Sequence, residues 1–303
     1  MLAGVRAGDE VVLPPQTFVA TGHVILMQQA TPVFADIDPL TGNISATSLE
    51  TVLSERTRAV IAVHWGGYPC DLDALRQVTA RCKVVLIEDA AHSLGASYRG
   101  RPVGSLSRFT CFSFQAIKHV TCGDGGLLCC TEHADAQDAR RRRWFGIDRE
   151  RPTSELGDRE GDIDAVGFKY HMNDLAAAVG LGNLVGFRER LARRREIAAA
   201  YRRALASVPG LTLLRSEDGH ESACWLFTVL VERRELFVRA LKARGIPTSV
   251  VDRRIDRFRV FGGTRAALAG QRQFDERQIS LPLHASLSDN DVQQVITGVR
   301  AGW

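Results

Sequence analysis

The sequence has no Cys-x-x-Cys pair, although seven cysteines stand at 70, 82, 111, 122, 129, 130 and 224. An odd number without that spacing argues against both a disulfide framework and a zinc knuckle, so no metal is expected. Several of the seven fall inside apolar runs, where cysteine behaves as a small hydrophobe, and the set fits a reducing, cytoplasmic setting. The opening stretch "MLAGVRAGDEVVLPP" (1–15) has neither the basic start nor the apolar block of a signal peptide. No stretch approaches the length of a membrane span. Neither sign of charge dominates: 39 Lys and Arg against 35 Asp and Glu leave a formal net charge of +4 over 303 residues. The local clusters "ARRRRWF" (139–145) and "RLARRRE" (190–196) read as solvated helix faces rather than a nucleic-acid surface. Neither Gly-x-Gly-x-x-Gly nor a Walker pattern ending in Gly-Lys-Ser/Thr occurs, which removes two nucleotide-binding loops from consideration.

What is present is an ordinary globular composition, 45% hydrophobic and 24% charged, sufficient for one large core or a large and a small one. Short β-branched runs alternate with helical patterns. Strands are expected at "EVVLP" (10–14), "PVFADI" (32–37), "RAVIAVH" (58–64), "KVVLIED" (83–89), "FTCFSF" (109–114) and "GLLCCT" (126–131). Between them, 16–29, 45–54 and 71–82 carry apolar residues at three- and four-residue spacing. Strands apolar throughout and separated by helices imply an α/β fold, a mostly parallel sheet sandwiched by helices. Such sheets take ligands beyond the carboxyl ends of their strands. After about residue 150 the texture changes. We expect a large domain over 1–170, a long connecting helix or two joined ones over 171–208, and a smaller C-terminal α/β domain over 209–303, where Gly245 closes one helix and Ser288 or Asp289 caps the last.

Three constellations lie where strands should end. "VVLIEDAAHS" (84–93) delivers Asp89 and His92, and a carboxylate at the end of a buried strand is costly unless something cationic or hydrogen-bonding meets it. An N-cap on a following helix is the competing reading of Asp89. The turn after "FTCFSF" carries Ser113 and Lys118, backed by glycines 123, 125 and 126 that permit a tight return. A desolvated lysine loses part of its preference for charge and forms a Schiff base with an aldehyde. The stretch "PPQTFVATGHVI" (14–25) brings Phe18 off the first strand, either as core or as a ring-stacking aromatic. An acid for a pyridine nitrogen, an aldehyde-capturing lysine, a phosphate-binding hydroxyl and a stacking aromatic together are what pyridoxal phosphate demands.

These segments, with "ATPVFADIDP", "AVHWGGYPCDLDAL", "GFKYHMNDLAAAVGLGNL" and "ISLPLHASLSDNDVQQVI", run in order over nearly the whole chain. In them the sequence resembles the sugar aminotransferases of the DegT type (DegT/DnrJ/EryC/StrS), pyridoxal 5'-phosphate enzymes of fold-type I. The resemblance makes the large domain the cofactor-binding one, short at its N-terminus. It implies that Lys118 holds the cofactor aldehyde and shuttles protons, Asp89 pairs with the pyridine nitrogen, and His92 lies near the ring. Ser113 would bind the phosphate and Phe18 would stack on the ring. It further implies a homodimer with shared sites, in which "FKYHMND" (168–174) brings Lys169, His171 and Asn173 to the partner's cofactor. The reaction implied is transamination of a nucleotide-linked keto-deoxysugar by an amino-acid donor such as glutamate, at sugar C4 as in perosamine synthases.

The chain departs from the family's pattern in two ways. It begins where the family's phosphate-holding Ser-Gly-Thr segment ends, which would leave Ile25, Leu26 or Met27 short of cover. Lys169 and His171 also stand where Asn-x-Arg is usual. A scaffold that binds cofactor weakly and regulates rather than catalyses is the alternative, whereas a dehydratase would carry histidine in place of Lys118.

Overall fold

A computed structural model of the chain describes residues 1–150, 155, 157 and 163–303. Alternation along its strands decides the architecture. In Thr57–Val63 (β3), Val60 and Ala62 point into one core with Leu49, Leu72, Leu75 and Val78, while Ala59, Ile61 and Val63 join a second core with Ile25, Phe34 and Phe261. A strand buried on both faces needs helices on both faces.

The elements in chain order supply them. Glu10–Leu13 (β1) leads to Val19–Met27 (α1) and Thr31–Phe34 (β2); Ala46–Val52 (α2) precedes β3, and Leu72–Cys82 (α3) precedes Val85–Asp89 (β4). A two-strand ribbon, Ser97–Tyr98 (β5) and Arg101–Pro102 (β6), interrupts before Phe109–Ser113 (β7) and Gly126–Cys130 (β8). The sheet order is β2-β1-β3-β4-β7-β8, parallel except for β8, which runs antiparallel to β7. Strand order reverses between β1 and β3, the place where such sheets open a crevice at their carboxyl edge.

His133–Arg142 (α4) follows, then Asp174–Leu184 (α5) and Phe187–Leu205 (α6). The segment expected as one helix or two is two, broken at Gly186 with φ +70, a conformation that suits glycine. Leu211–Leu213 (β9), Phe227–Val231 (β11) and Gln278–Leu281 (β12) form a second, antiparallel sheet, while His220–Glu221 (β10) pairs with β5. Arg234–Ala243 (α7), Ala269–Arg277 (α8) and Asp289–Arg300 (α9) complete this half. Ser288 caps α9 in a reciprocal box with Asp291, and Gly245 follows α7 at φ +73. A third core joins Tyr201 and Leu205 of α6 with Phe237, Val229 and Val299.

Two expectations change. The apolar run "CWLFTVLVE" (224–232) reads as a strand from its first residue, yet the strand starts only at 227, because Ala223, Trp225 and Leu226 donate their N–H groups to the carbonyls of Gly67 and Gly66 instead of to a sheet partner. Ile25 is buried at 2% exposure against the sheet, whereas Met27 is 72% exposed. No helix among the described residues is long and apolar enough to cross a membrane.

Candidate active site

β4 ends in two carboxylates that part company because neighbouring side chains on a strand face opposite ways. Glu88 is fully buried on one face, its Oε2 2.8 Å from His64 Nε2. The Cys70 N–H donates to His64 Nδ1 at 3.0 Å, which leaves the ring proton on Nε2 for Glu88. Asp89 turns to the other face and lines a cavity of about 730 Å³ floored by Ile61, Val63 and Ile87. Its Oδ2 accepts from the Thr21 hydroxyl at 2.7 Å, and the Thr17 hydroxyl lies 2.8 Å from that of Thr21. Its Oδ1 accepts the Ala91 N–H at 3.1 Å. Residues 90–96 form turns and not a helix, so the N-cap reading of Asp89 falls; the carboxylate closes a local turn and keeps one edge toward the cavity.

Lys118 reaches the same cavity from the turn between β7 and β8. The turn is closed by Phe114 N–H to the Gly125 carbonyl and by Cys122 N–H to the Phe114 carbonyl. A Cβ on Gly125 would stand 2.3 Å from Cys122 Sγ, so only glycine fits there. The Lys118 ammonium lies 4.0 Å from the centroid of the Trp225 ring, and Trp225 Nε1 donates to the Ile117 carbonyl at 3.2 Å. Burial lowers the lysine below its ordinary range, and Asp252 and Asp89 partly oppose that shift. The Ser113 hydroxyl is at the end of β7, where it accepts the Gln115 N–H at 3.3 Å. Phe18 stands at the cavity rim, 59% exposed, so it is no core residue.

His92 stacks on Trp225 at 3.7 Å with 14° between the planes, and meets Trp65 edge-on. Burial, and then the charge of Lys118, push it well below the ordinary histidine range, so the ring is neutral at pH 7. His119 is lowered to about 4 by burial and by Arg194; its Nε2 donates to the Ala223 carbonyl at 2.7 Å.

The structure therefore brings Phe18, Asp89, His92, Ser113 and Lys118 together, and it does not bring Lys169, His171 or Asn173 to them. Lys169 stands 3.8 Å over the Trp144 ring, His171 packs edge-on against the same ring, and Asn173 caps α5 by accepting the Ala176 N–H.

The sequence reading missed Trp225, Asp252, the Thr17–Thr21 pair and Gly67. The threonines carried little signal: Thr21 lies in the first turn of α1 and Thr17 in the loop just before it. Gly67 has φ +95, and a Cβ there would stand 2.8 Å from the His92 carbonyl and 3.1 Å from Trp225 N. Gly67→Ala is expected to cost about 1–3 kcal/mol and to shift His92 and Trp225. Thermal unfolding checks this: an unchanged Tm would mean that the contact relaxes freely.

The residues fit pyridoxal phosphate on the structure's own terms. His92 Nδ1 is buried with no hydrogen-bond partner among the described residues, the Lys118 amine has an aromatic face beneath it, and the apolar cavity would strengthen each polar contact to a bound ring.

Comparison with known proteins agrees. The sequence profile described as the DegT/DnrJ/EryC1/StrS aminotransferase family matches residues 1–300. The spore coat polysaccharide biosynthesis protein SpsC of Bacillus subtilis is 36% identical over 310 residues, covering 98% of this chain and 80% of that protein. Among solved structures, AtS13 from Actinomadura melliaura superposes with a TM-score of 0.92 at 40% identity, covering 97% of this chain and 80% of that one. The sugar aminotransferase CalS13 from Micromonospora echinospora gives 0.94 at 34% identity, with coverage of 100% and 83%.

Proposed function

The chain belongs to the DegT/DnrJ/EryC1/StrS family of pyridoxal-phosphate-dependent sugar aminotransferases, and on that premise we propose that it transfers an amino group from glutamate to the C4 ketone of a nucleotide-linked deoxysugar. The observation that carries this reading is the convergence of one partly desolvated amine, Lys118, and one hydrogen-bonded carboxylate, Asp89, on a single apolar cavity. When bound, pyridoxal phosphate supplies an aldehyde that carries the amino group and a ring that withdraws electrons from the substrate carbon. Lys118 Nζ would hold the aldehyde in the resting protein and, once freed by the donor, would serve as the base that moves the donor's Cα proton. Asp89, held by Thr21 and the Ala91 N–H, keeps the ring nitrogen protonated. Phe18 would stack on the ring, His92 would lie near it, and Ser113 would bind the phosphate. The apolar walls exclude water, which limits loss of the amino group by hydrolysis.

The nucleotide-linked sugar and its C4 position rest on resemblance. "VVDRRIDRFRVFGG" (250–263) and "KYHMNDLAAAVGL" (169–181) look more like enzymes acting at C4 than at C3. The test is incubation of the loaded protein with glutamate and a nucleotide-linked 4-keto-6-deoxyhexose, with mass spectrometry of the sugar. Replacement of the ketone oxygen by an amino group and a hydrogen, with equimolar 2-oxoglutarate, supports the reading. Amination of a 3-keto isomer alone would move the position.

A homodimer with shared sites is part of the proposal. Helix α5 is apolar yet buries no residue within the chain, and Leu175 is 82% and Leu181 66% exposed. Such a surface beside Lys169 and His171 calls for a partner. Co-expressed Lys118→Ala and Lys169→Ala/His171→Ala chains are expected to recover about a quarter of wild-type activity, since half the dimers are mixed and each mixed dimer holds one intact site. Activity no higher than that of either variant alone would place those residues outside the partner's site.

A further inference from the structure

Asp252 follows α7 on a segment distant in sequence from both Lys118 and Asp89, yet its side chain lines their cavity. Its backbone is in the left-handed region, φ +44, which a side chain rarely adopts without a reason. The conformation is held by its own carbonyl, which accepts one amide N–H from Gln16 at 2.8 Å and one from Gln278 at 3.1 Å. Gln271 Nε2 in turn donates to Gln16 Oε1 at 2.8 Å, and all three glutamines are fully buried. Three buried amides thus fix one backbone carbonyl and leave the carboxylate free to face the cavity. The clamp ties the loop between β1 and α1 to the segment after α7.

We propose that Asp252 is a positioning residue, a counter-charge to the Lys118 ammonium across the cavity that both residues line. The groups that face Lys118 are Asp89 at the end of β4, the neutral rings of His92 and His119, and Asp252. Both carboxylates oppose the lowering that burial imposes on the lysine. Its own carboxyl is raised by burial, with Lys118 opposing and Asp89 adding to the rise. The state of the lysine is therefore set by a residue that reaches it only while the segment after α7 stays docked on the β1–α1 loop.

Competitive labelling with acetic anhydride, an uncharged amine reagent, followed across pH by peptide mass spectrometry, reads Lys118 directly in the full chain. Asp252→Asn and Asp252→Gly both keep the clamped carbonyl, and glycine also relieves the left-handed backbone. In each, the half-labelling point of Lys118 is expected to move to lower pH, with several-fold faster labelling near neutrality, while exposed Lys83 and Lys242 do not move. A Lys118 profile that coincides with wild type, in whichever variant retains the wild-type far-ultraviolet spectrum, overturns the proposal. The inference rests on the proposed function only for what the amine is used for. The labelling needs neither cofactor nor sugar, so a shift without sugar amination would sink the function and leave this assignment standing, and the reverse pattern would do the opposite.

Discussion

Replacing Lys118 with alanine removes the visible absorption that the protein acquires with pyridoxal phosphate, and lowers amino transfer by about 10³-fold or more. The size follows from the double use of one amine, as the group that holds the aldehyde and as the base that moves the Cα proton. No other lysine of the same chain lines the cavity. His92 is neutral, buried and stacked on Trp225, and the chain's other lysines, Lys83, Lys169 and Lys242, are exposed and outside the cavity. Stability should hardly change, because the side chain's aromatic contact with Trp225 is worth only about 0.5–1 kcal/mol at a partly exposed site. Paired absorbance and thermal-melting measurements separate the two effects. A variant that keeps its absorption band at wild-type intensity would remove Lys118 from the chemistry.

Asp89→Asn is expected to lower kcat by about 10²–10³ with little change in KM. Asparagine is close in shape, its amide oxygen can still accept the Ala91 N–H, and Thr21 can turn its hydroxyl to accept from the new amide. What disappears is the negative charge that keeps a ring nitrogen protonated, and with it the electron withdrawal on which proton removal at Cα depends. Steady-state kinetics with a keto-sugar acceptor check this, and an Asp89→Asn enzyme with wild-type kcat would mean that the carboxylate serves only the local turn. Thr21, one bond further out, matters less because it orients the carboxylate and carries no charge of its own.

The parts legible in the sequence are those encoded locally. The strands ending at Asp89 and Ser113 show as apolar runs that stop at polar residues, and the turn holding Lys118 announces itself through Gly123 and Gly125. The mostly parallel sheet follows from strands apolar on both faces with helices between. What the sequence hides arrives from far along the chain. Trp225 looks like one more apolar residue of a strand, and only the docking of Ala223 and Trp225 onto the carbonyls of Gly67 and Gly66 takes it out of the sheet and under Lys118. Asp252 carries no local signal either, since its backbone conformation is imposed by glutamines at 16 and 278. The placement of Lys169 and His171 around Trp144 shows why a segment read as cofactor-binding lies away from the cavity of its own chain.

Borohydride reduction of the pyridoxal-phosphate-loaded protein, followed by peptide mapping, tests the central claim most directly, because the chain has just four lysines. The account predicts the phosphopyridoxyl mass on the peptide that holds Lys118 and on no other. Label on Lys83, Lys169 or Lys242, or no label at all, would contradict it and leave the cavity at the ends of β4 and β7 without the chemistry assigned to it.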